Sequence, residues 1–383
     1  MTIHLYRQIY NMKKNISVLK DGQINYEIML RRDFEDLKNL PDVFDASNRK
    51  VCIVSDSNVA PIYQKELFDI LSLSFKKVEC FVLEAGESNK NLSSIEKIYE
   101  FLIEKNFDRK DMLVALGGGV VGDMTGFAAA TYLRGIDFIQ IPTSLLAISD
   151  SSVGGKTGVD FKAYKNMVGA FYMPKLVYIN VSVLSTLPMR ELSCGMAEVI
   201  KYGFIMDPNF LNVLDDISAD IMKKDIDSLM SVAARSCECK KEVVEEDPNE
   251  KGRRAILNFG HTAGHAIEKA CNFALLHGEC VAIGMNVAMI ISKGRGYINE
   301  AQYIRGINLL KKYSLPISLS EIKDSLPSFT YSFKEKELIE LMLSDKKTLG
   351  GKIRFILLKS FGESFISEDI TKDEIHDALK VII

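Results

Sequence analysis

The chain has 383 residues, 47% hydrophobic and 26% charged, and its 48 Lys and Arg against 51 Asp and Glu leave a formal charge of −3. That length exceeds one ordinary domain and predicts two or three, with ample apolar side chain for their cores. A near-neutral chain with no basic run, RNA-binding signature or zinc-finger spacing has no global field for nucleic acid or an anionic membrane, so any anion must be met by a local cluster.

The opening MTIHLYRQIYNMKKN lacks the apolar core of a signal peptide, and Met12 fits as a start as well as Met1. Ile16–Lys20 and Ile24–Leu30 flank Asp21-Gly22, a pair that readily adopts positive φ, so they predict a hairpin. Short apolar runs follow at 51–55, 78–83, 112–116, 138–141 and 176–179, each with helical sequence after it. This pattern predicts parallel strands buried on both faces of a doubly wound sheet. From Leu187 the pattern turns helical, over Met189–Gly203, Ile226–Glu246, His261–Asn272, Glu279–Gly294 and Glu335–Leu343. Residues 353–358 predict a late strand covering an edge, and Asp373–Lys380 a closing helix. The expected fold is an α/β N-terminal Rossmann-like domain, residues 1–186, and a mainly α-helical C-terminal domain, residues 187–383, with a ligand cleft between them. The longest apolar stretch, Cys280–Ile291, is broken by Gly284 and Asn286 and falls short of the ~18–20 residues that span a bilayer. Seven scattered cysteines, an odd number, predict free thiols in a reducing, cytoplasmic compartment.

Three constellations carry chemistry. Gly117-Gly118-Gly119-Val120-Val121-Gly122-Asp123 lies between a strand and a helix. Such a turn brings backbone N–H groups and a helix N-terminus to a pyrophosphate, or simply packs a strand tightly against a helix. No acidic residue ends the next strand, and the candidate for a ribose lies upstream in Ser55-Asp56-Ser57-Asn58. Three of the five histidines, His261, His265 and His277, fall within seventeen residues. His261 and His265 share one helical face, with Glu268 a turn further on. The cluster suits a zinc-like ion with an open position, or else helix capping and core packing. Thr262 stands where HExxH needs Glu, which excludes a zincin. Asp150 to Thr157, DSSVGGKT, has the small residues and lysine of an anion loop, but Asp150 occupies the first glycine of a P-loop, which argues against an NTPase. Lys165-Asn166, Lys201, Arg253-Arg254 and Lys346-Lys347 complete a basic set that a polyanionic small molecule would need.

Taken in order, GGGVVGD, TGFAAATYLRG, DSSVGGKTGV, KNMVGAF, RELSCGMAEVIKYG, NFGHTAGHAIE and HGECVAIGM resemble the 3-dehydroquinate synthase family of the shikimate pathway, over roughly residues 50–360. The resemblance implies an NAD-binding α/β domain and a helical metal-binding domain. It implies that Glu198, His261 and His277 hold a divalent ion, zinc or cobalt. Asp56, Asn58, Glu87, Lys90, Gly118, Gly119, Val120, Asp123, Thr143, Ser144, Thr186 and Leu187 match positions that contact NAD+. Arg134, Asp150, Lys156, Lys165, Asn166, Lys201, Lys240, Arg254, Asn258, His265 and Lys346 match substrate-site positions, Lys156 and Lys165 bordering the cofactor as well.

The implied activity is a carbon–oxygen lyase that converts 3-deoxy-D-arabino-heptulosonate 7-phosphate to 3-dehydroquinate and phosphate, by transient oxidation with NAD+, phosphate elimination, re-reduction and intramolecular aldol closure. The same resemblance implies a homodimer, with Arg134 reaching the neighbouring subunit's site. Lys156, Arg134 and Asn166 are expected at the phosphate, Arg254 and Lys240 at the carboxylate, and His265 in proton handling. Ser144, Ile148-Ser149 and residues 160–164 depart from the family pattern at the rim of the anion loop. The rival readings are an alcohol dehydrogenase of the glycerol or iron-dependent type, a non-catalytic NAD-binding or regulatory relative and, for the substrate, a sister sugar-phosphate cyclase. The basic set argues against the dehydrogenase, because an uncharged alcohol has no use for those charges.

Overall fold

The computed structural model describes residues 13–40, 44–162, 164–250, 252–326, 329–331, 334–344 and 353–383. The chain divides into two compact units, one of residues 1–187 and 226–249, the other of 188–225 and 250–383.

The first unit is built on a seven-stranded sheet. Its strands are β1 (Lys14–Lys20), β2 (Gln23–Arg31), β3 (Lys50–Asp56), β4 (Lys77–Leu83), β5 (Met112–Gly117) and β6 (Asp137–Pro142), with β9 (Leu176–Asn180) after a separate hairpin of β7 (Lys156–Phe161) and β8 (Tyr164–Phe171). The order is β1-β2-β9-β6-β5-β3-β4. Only the β1–β2 pair is antiparallel, and Asp21 and Gly22 make its turn with φ of 53° and 77°. Helices α1 (Lys65–Leu71), α2 (Leu92–Glu104) and α3 (Gly119–Thr131) follow their strands. Side chains of a strand alternate between faces, and here both faces are apolar. Val51, Ile53, Met112, Val114 and Leu116 pack in one core with Phe34, Leu37 and Leu71. Cys52, Val54 and Leu113 pack in the other with Ile98, Met124, Phe127 and Phe138. That arrangement explains why these strands read as continuous apolar runs.

The second unit opens with α4 (Met189–Ile205), α5 (Pro208–Asp216) and α6 (Ser218–Met222). The chain then returns to the first unit for α7 (Ile226–Glu246). There Glu238 pairs with Lys14, Glu245 accepts the Leu19 N–H at 2.5 Å, and the Cys237 thiol donates to the Ile148 carbonyl at 3.4 Å. The sequence assigns all of 187–383 to one helical domain; Ile226–Asn249 instead belongs with the sheet. Helices α8 (His261–Ala270), α9 (His277–Gly294), α10 (Glu300–Lys312), α11 (Leu319–Ser325), α12 (Glu335–Ser344) and α13 (Lys372–Ile382) complete the second unit, with a hairpin of β10 (Phe355–Ser360) and β11 (Glu363–Ser367). The late apolar run therefore pairs with β11 rather than covering an edge of the large sheet. No helix among the described residues is long and apolar enough to cross a membrane.

Candidate active site

Three elements of the second unit converge on one cluster. Glu198 lies near the middle of α4, His261 opens α8 and His277 opens α9. Glycines allow this close approach: a Cβ on Gly284 of α9 would lie 1.9 Å from the Gly260 carbonyl oxygen, and one on Gly278 would lie 2.1 Å from that of Cys194. Gly260 itself sits at φ +80°, so the chain can turn sharply into α8 and aim His261 inward.

Glu198 Oε1 stands 3.5 Å from His261 Nε2 and 3.5 Å from His277 Nε2. Ligands about 2.0–2.2 Å from a tetrahedral ion lie about 3.3–3.6 Å apart, so both separations match one edge of such a site. The three ligand atoms fall within 4.8 Å of one another. Lys201, one turn along α4, donates to Glu198 Oε2 from an equally buried position, each side chain being 1% exposed. The ammonium thus takes one carboxylate oxygen while the other faces the imidazoles. His261 Nδ1 lies 3.0 Å from the Phe259 carbonyl oxygen, which accepts its proton and leaves Nε2 as the lone-pair nitrogen. Burial pulls the His277 pKa down, but the carboxylates of Glu198 and Glu268 beside its two nitrogens outweigh it and hold the ring up to about 9. The electronegative surroundings that favour an imidazolium also favour a dication. His265 joins the same cluster, its ring 5.2 Å from that of His261 and 5.9 Å from that of His277. The expectation of a single helical face for His261 and His265 is met.

In the first unit, Gly118 caps α3 in extended backbone and Gly119 begins the helix. Gly117 is required by packing, because its Cβ would lie 2.6 Å from the Val121 Cβ. Gly118, Gly119 and Val120 remain partly exposed, so their N–H groups at the helix start stay accessible. Thr143 donates its N–H to the Gly117 carbonyl at 2.9 Å, and Ser144 Oγ accepts the Ala147 N–H at 3.2 Å. Asp56 Oδ1 accepts the N–H groups of Asn58 and Val59 at 2.8 and 3.0 Å, folding the loop after β3. Thr186 Oγ1 meets the Tyr63 hydroxyl at 2.6 Å, and Leu187 follows at the end of the same segment.

Beside the glycine turn, Lys90 is buried and donates to Asp123 Oδ2 and Asn166 Oδ1, both at 2.6 Å. Burial works against this ammonium, but Asp123 and Glu87 hold its pKa above the usual lysine value. Lys165 pairs with Glu87 at 3.3 Å. Asp160, which sequence reasoning gave no role, accepts the Asn166 N–H at 2.7 Å and holds that residue at φ +50°. Lys240 of α7 donates to Asp150. Lys156 and Arg134 are exposed, and Arg134 sits in a left-handed stretch, with φ of 51°, 70° and 123° at Leu133, Arg134 and Gly135.

In the second unit Arg254 is fully buried, and Asn258 Nδ2 donates to Glu250 Oε1 at 3.3 Å. Lys346 lies outside the described residues. Sequence reading also missed Cys194, whose Sγ accepts the Gly278 N–H at 3.0 Å, and the bidentate Arg190–Glu279 pair at 2.7 and 2.8 Å. Glu279 additionally accepts the Leu276 N–H at 2.9 Å and so fixes the start of α9. The Glu three residues into a helix was the available signal for that last contact.

Known proteins share this architecture. Two family models match, "3-dehydroquinate synthase N-terminal" over residues 80–194 and "3-dehydroquinate synthase C-terminal" over residues 195–348. A 3-dehydroquinate synthase of Ruminiclostridium cellulolyticum is 44% identical over 89% of this chain and 92% of its own length. Among solved structures, 2-epi-5-epi-valiolone synthase from Streptomyces hygroscopicus, with NAD+ and Zn2+ bound, superposes with a TM-score of 0.83 at 26% identity, covering 96% of this chain and 98% of its own. A 2-deoxy-scyllo-inosose synthase complexed with carbaglucose-6-phosphate, NAD+ and Co2+ gives 0.81 at 25%, covering 97% and 100%. With residues 80–348 under two halves of one family and a 44% identical relative spanning most of the chain, this protein belongs to the 3-dehydroquinate synthase family.

Proposed function

We propose that the chain is a carbon–oxygen lyase that converts 3-deoxy-D-arabino-heptulosonate 7-phosphate to 3-dehydroquinate and inorganic phosphate. The observation that carries the reading is the Glu198–His261–His277 cluster, with both Glu198–His edges at 3.5 Å, in a chain of this family. NAD+ held by the first unit would supply a reversible hydride acceptor for carbon 5 of the substrate, and a zinc or cobalt ion held by Glu198, His261 and His277 would supply Lewis acidity.

The chain's own residues bind, orient and move protons. The N-terminus of α3, with Gly118, Gly119 and Val120, meets the pyrophosphate of NAD+, while Asp56, whose Oδ1 is engaged in its own turn, offers Oδ2 to a ribose. Lys90, locked between Asp123 and Asn166, stiffens the wall of the nucleotide site and aims the Asn166 amide N–H group at the substrate phosphate beside Lys156 and Arg134. Arg254 and Lys240 hold the carboxylate, since an anion with a charge at each end needs a cation at each end. Lys201 donates to Glu198 Oε2 and so fixes the carboxylate with Oε1 toward the histidines. With a ketone at carbon 5 the adjacent carbon–hydrogen bond is acidic, the substrate's own phosphate takes that proton as it leaves, and His265 hands protons on during the later ring opening and aldol closure.

The protein works as a homodimer in the cytoplasm. The exposed apolar side chains of Phe161, Tyr164, Met167 and Phe171 on the β7–β8 hairpin support a second copy as partner. All seven cysteines are free, which suits a reducing compartment.

The test is phosphate release from the heptulosonate phosphate by purified protein with NAD+, with and without a chelator, following 3-dehydroquinate in the same sample. Stoichiometric phosphate and dehydroquinate, no accumulating NADH and a stop on chelation are expected. Silence from loaded protein that turns over a different sugar phosphate would overturn this substrate in favour of a sister cyclase.

A further inference from the structure

The two nitrogens of His277 face two different carboxylates. Nε2 faces Glu198 Oε1, as above, whereas Nδ1 lies 3.7 Å from Oε1 of Glu268, within ion-pair range. Glu268 is only 3% exposed, a place where a carboxylate is costly unless it has a partner to hold. It sits on α8 seven residues after His261 and three after His265, so all three project from one face of the helix. The other histidine of the cluster already has an acceptor behind it, the Phe259 carbonyl on Nδ1. For His277 the corresponding place is filled by Glu268.

We propose that Glu268 is a positioning residue: its buried carboxylate accepts the Nδ1–H of His277, fixing the ring's orientation and the tautomer that turns the Nε2 lone pair toward Glu198 and the ion. A carboxylate in this place also makes the imidazole a stronger donor than a carbonyl would. The inference rests on the reading of Glu198, His261 and His277 as metal ligands. Its rival is on the same page, because His265, Glu268 and His277 also bring ligand atoms within 4.8 Å of one another and could hold an ion directly.

Cobalt binding to the purified full-length chain separates these readings without any turnover assay. Co2+ is titrated against a competing chelator, and its d–d absorption is recorded for wild type, Glu268→Gln, Glu268→Ala, His265→Ala and His261→Ala. For Glu268→Ala the expected result is about 10–100-fold weaker binding and altered bands. Glu268→Gln, whose amide oxygen still accepts the Nδ1 proton, should fall closer to wild type, and His265→Ala should bind normally. Unchanged affinity and bands in both Glu268 variants overturn the proposal. So does complete loss of Co2+ in Glu268→Gln together with His265→Ala, which would make Glu268 a ligand. Should Glu268→Ala fail to fold, Glu268→Gln alone decides: a loss below about 10-fold with shifted bands supports the role, and no change or complete loss refutes it. Undiminished Co2+ binding by His261→Ala would instead refute the underlying ligand set.

Discussion

Gly278 carries the sharpest prediction, because packing and ligand placement meet there. An alanine Cβ at 278 would lie 2.1 Å from the Cys194 carbonyl oxygen, 2.7 Å from its carbon and 2.8 Å from its Cα. These are backbone atoms in the middle of α4 and no rotamer relieves them, so α9 must retreat from α4 by roughly 1 Å to restore an ordinary contact. His277 is the adjacent residue and Glu198 lies one turn past Cys194. The 3.5 Å edge between them therefore opens beyond the span that one ion can bridge. The hydrogen bond from Gly278 N–H to Cys194 Sγ goes with it. Overpacking of this kind costs about 1–3 kcal/mol, which at about 2–4 °C per kcal/mol lowers Tm by roughly 2–12 °C. Zinc affinity should fall at least 10-fold, the lower bound for disturbing a ligand's support. Competition with a chromogenic chelator and thermal unfolding by circular dichroism measure both effects. Gly294→Ala is the control, since it ends the same helix with nothing within 4 Å of its added Cβ and should be neutral or slightly stabilising. Wild-type zinc affinity and Tm in Gly278→Ala would refute the packing argument.

Other outcomes follow from the same geometry. His261→Ala should abolish metal binding as read by metal analysis, whereas His265→Ala should keep the ion and slow turnover; loss of metal in both would reassign His265. Lys90→Met leaves Asp123 without the cation at 2.6 Å, so stability in urea should drop by about 3–5 kcal/mol, the cost of breaking a buried pair, and KM for NAD+ should rise. Hydrogen bonds from Arg295, opposed by burial and joined by those from Thr371, hold the Glu374 pKa down from 4.5 to about 2. A depressed carboxylate stabilises the fold above its unfolded pKa and loses that contribution as pH falls through its folded pKa. Glu374→Gln should thus be less stable than wild type at pH 7, by roughly 1–2 kcal/mol after solvent screening. The gap should close between about pH 4.5 and 2 in urea titrations.

Where local chemistry decides an element, it was readable in advance. Asp21-Gly22 requires positive φ whatever surrounds it, and apolar runs such as 112–116 have nowhere to go but between two layers. The i, i+4 spacing put His261 and His265 on one helical face, and only the approach of α9 to α8 brought His277 to them. Pairing that depends on a distant partner was not readable. Residues 156–171 carry no strand expectation from the sequence, yet Gly158 and Gly169 let β7 and β8 close up, with Cβ positions 2.6 and 2.2 Å from carbonyl oxygens across the hairpin. The period of α7 identifies a helix but cannot say which core it serves. Glu268 was visible as a carboxylate on the histidine face; its acceptor position on Nδ1 needed the ring's orientation.

The detour of the chain through α7 bears on how the protein is made. Residues 1–187 leave the ribosome well before Ile226–Asn249, so the nascent sheet lacks the helix that covers β1, and Asp150 lacks Lys240. During that interval the surface that α7 will cover is without the helix's buried face, Leu229, Val232, Ala233 and Cys237. The second unit must likewise hold α4 to α6 in waiting until residue 250 emerges. Neither half can be expressed as a continuous fragment ending near residue 187 without exposing core. A break after residue 249, at the third crossing of the chain between units, leaves the first unit whole but parts α4 to α6 from the rest of the second.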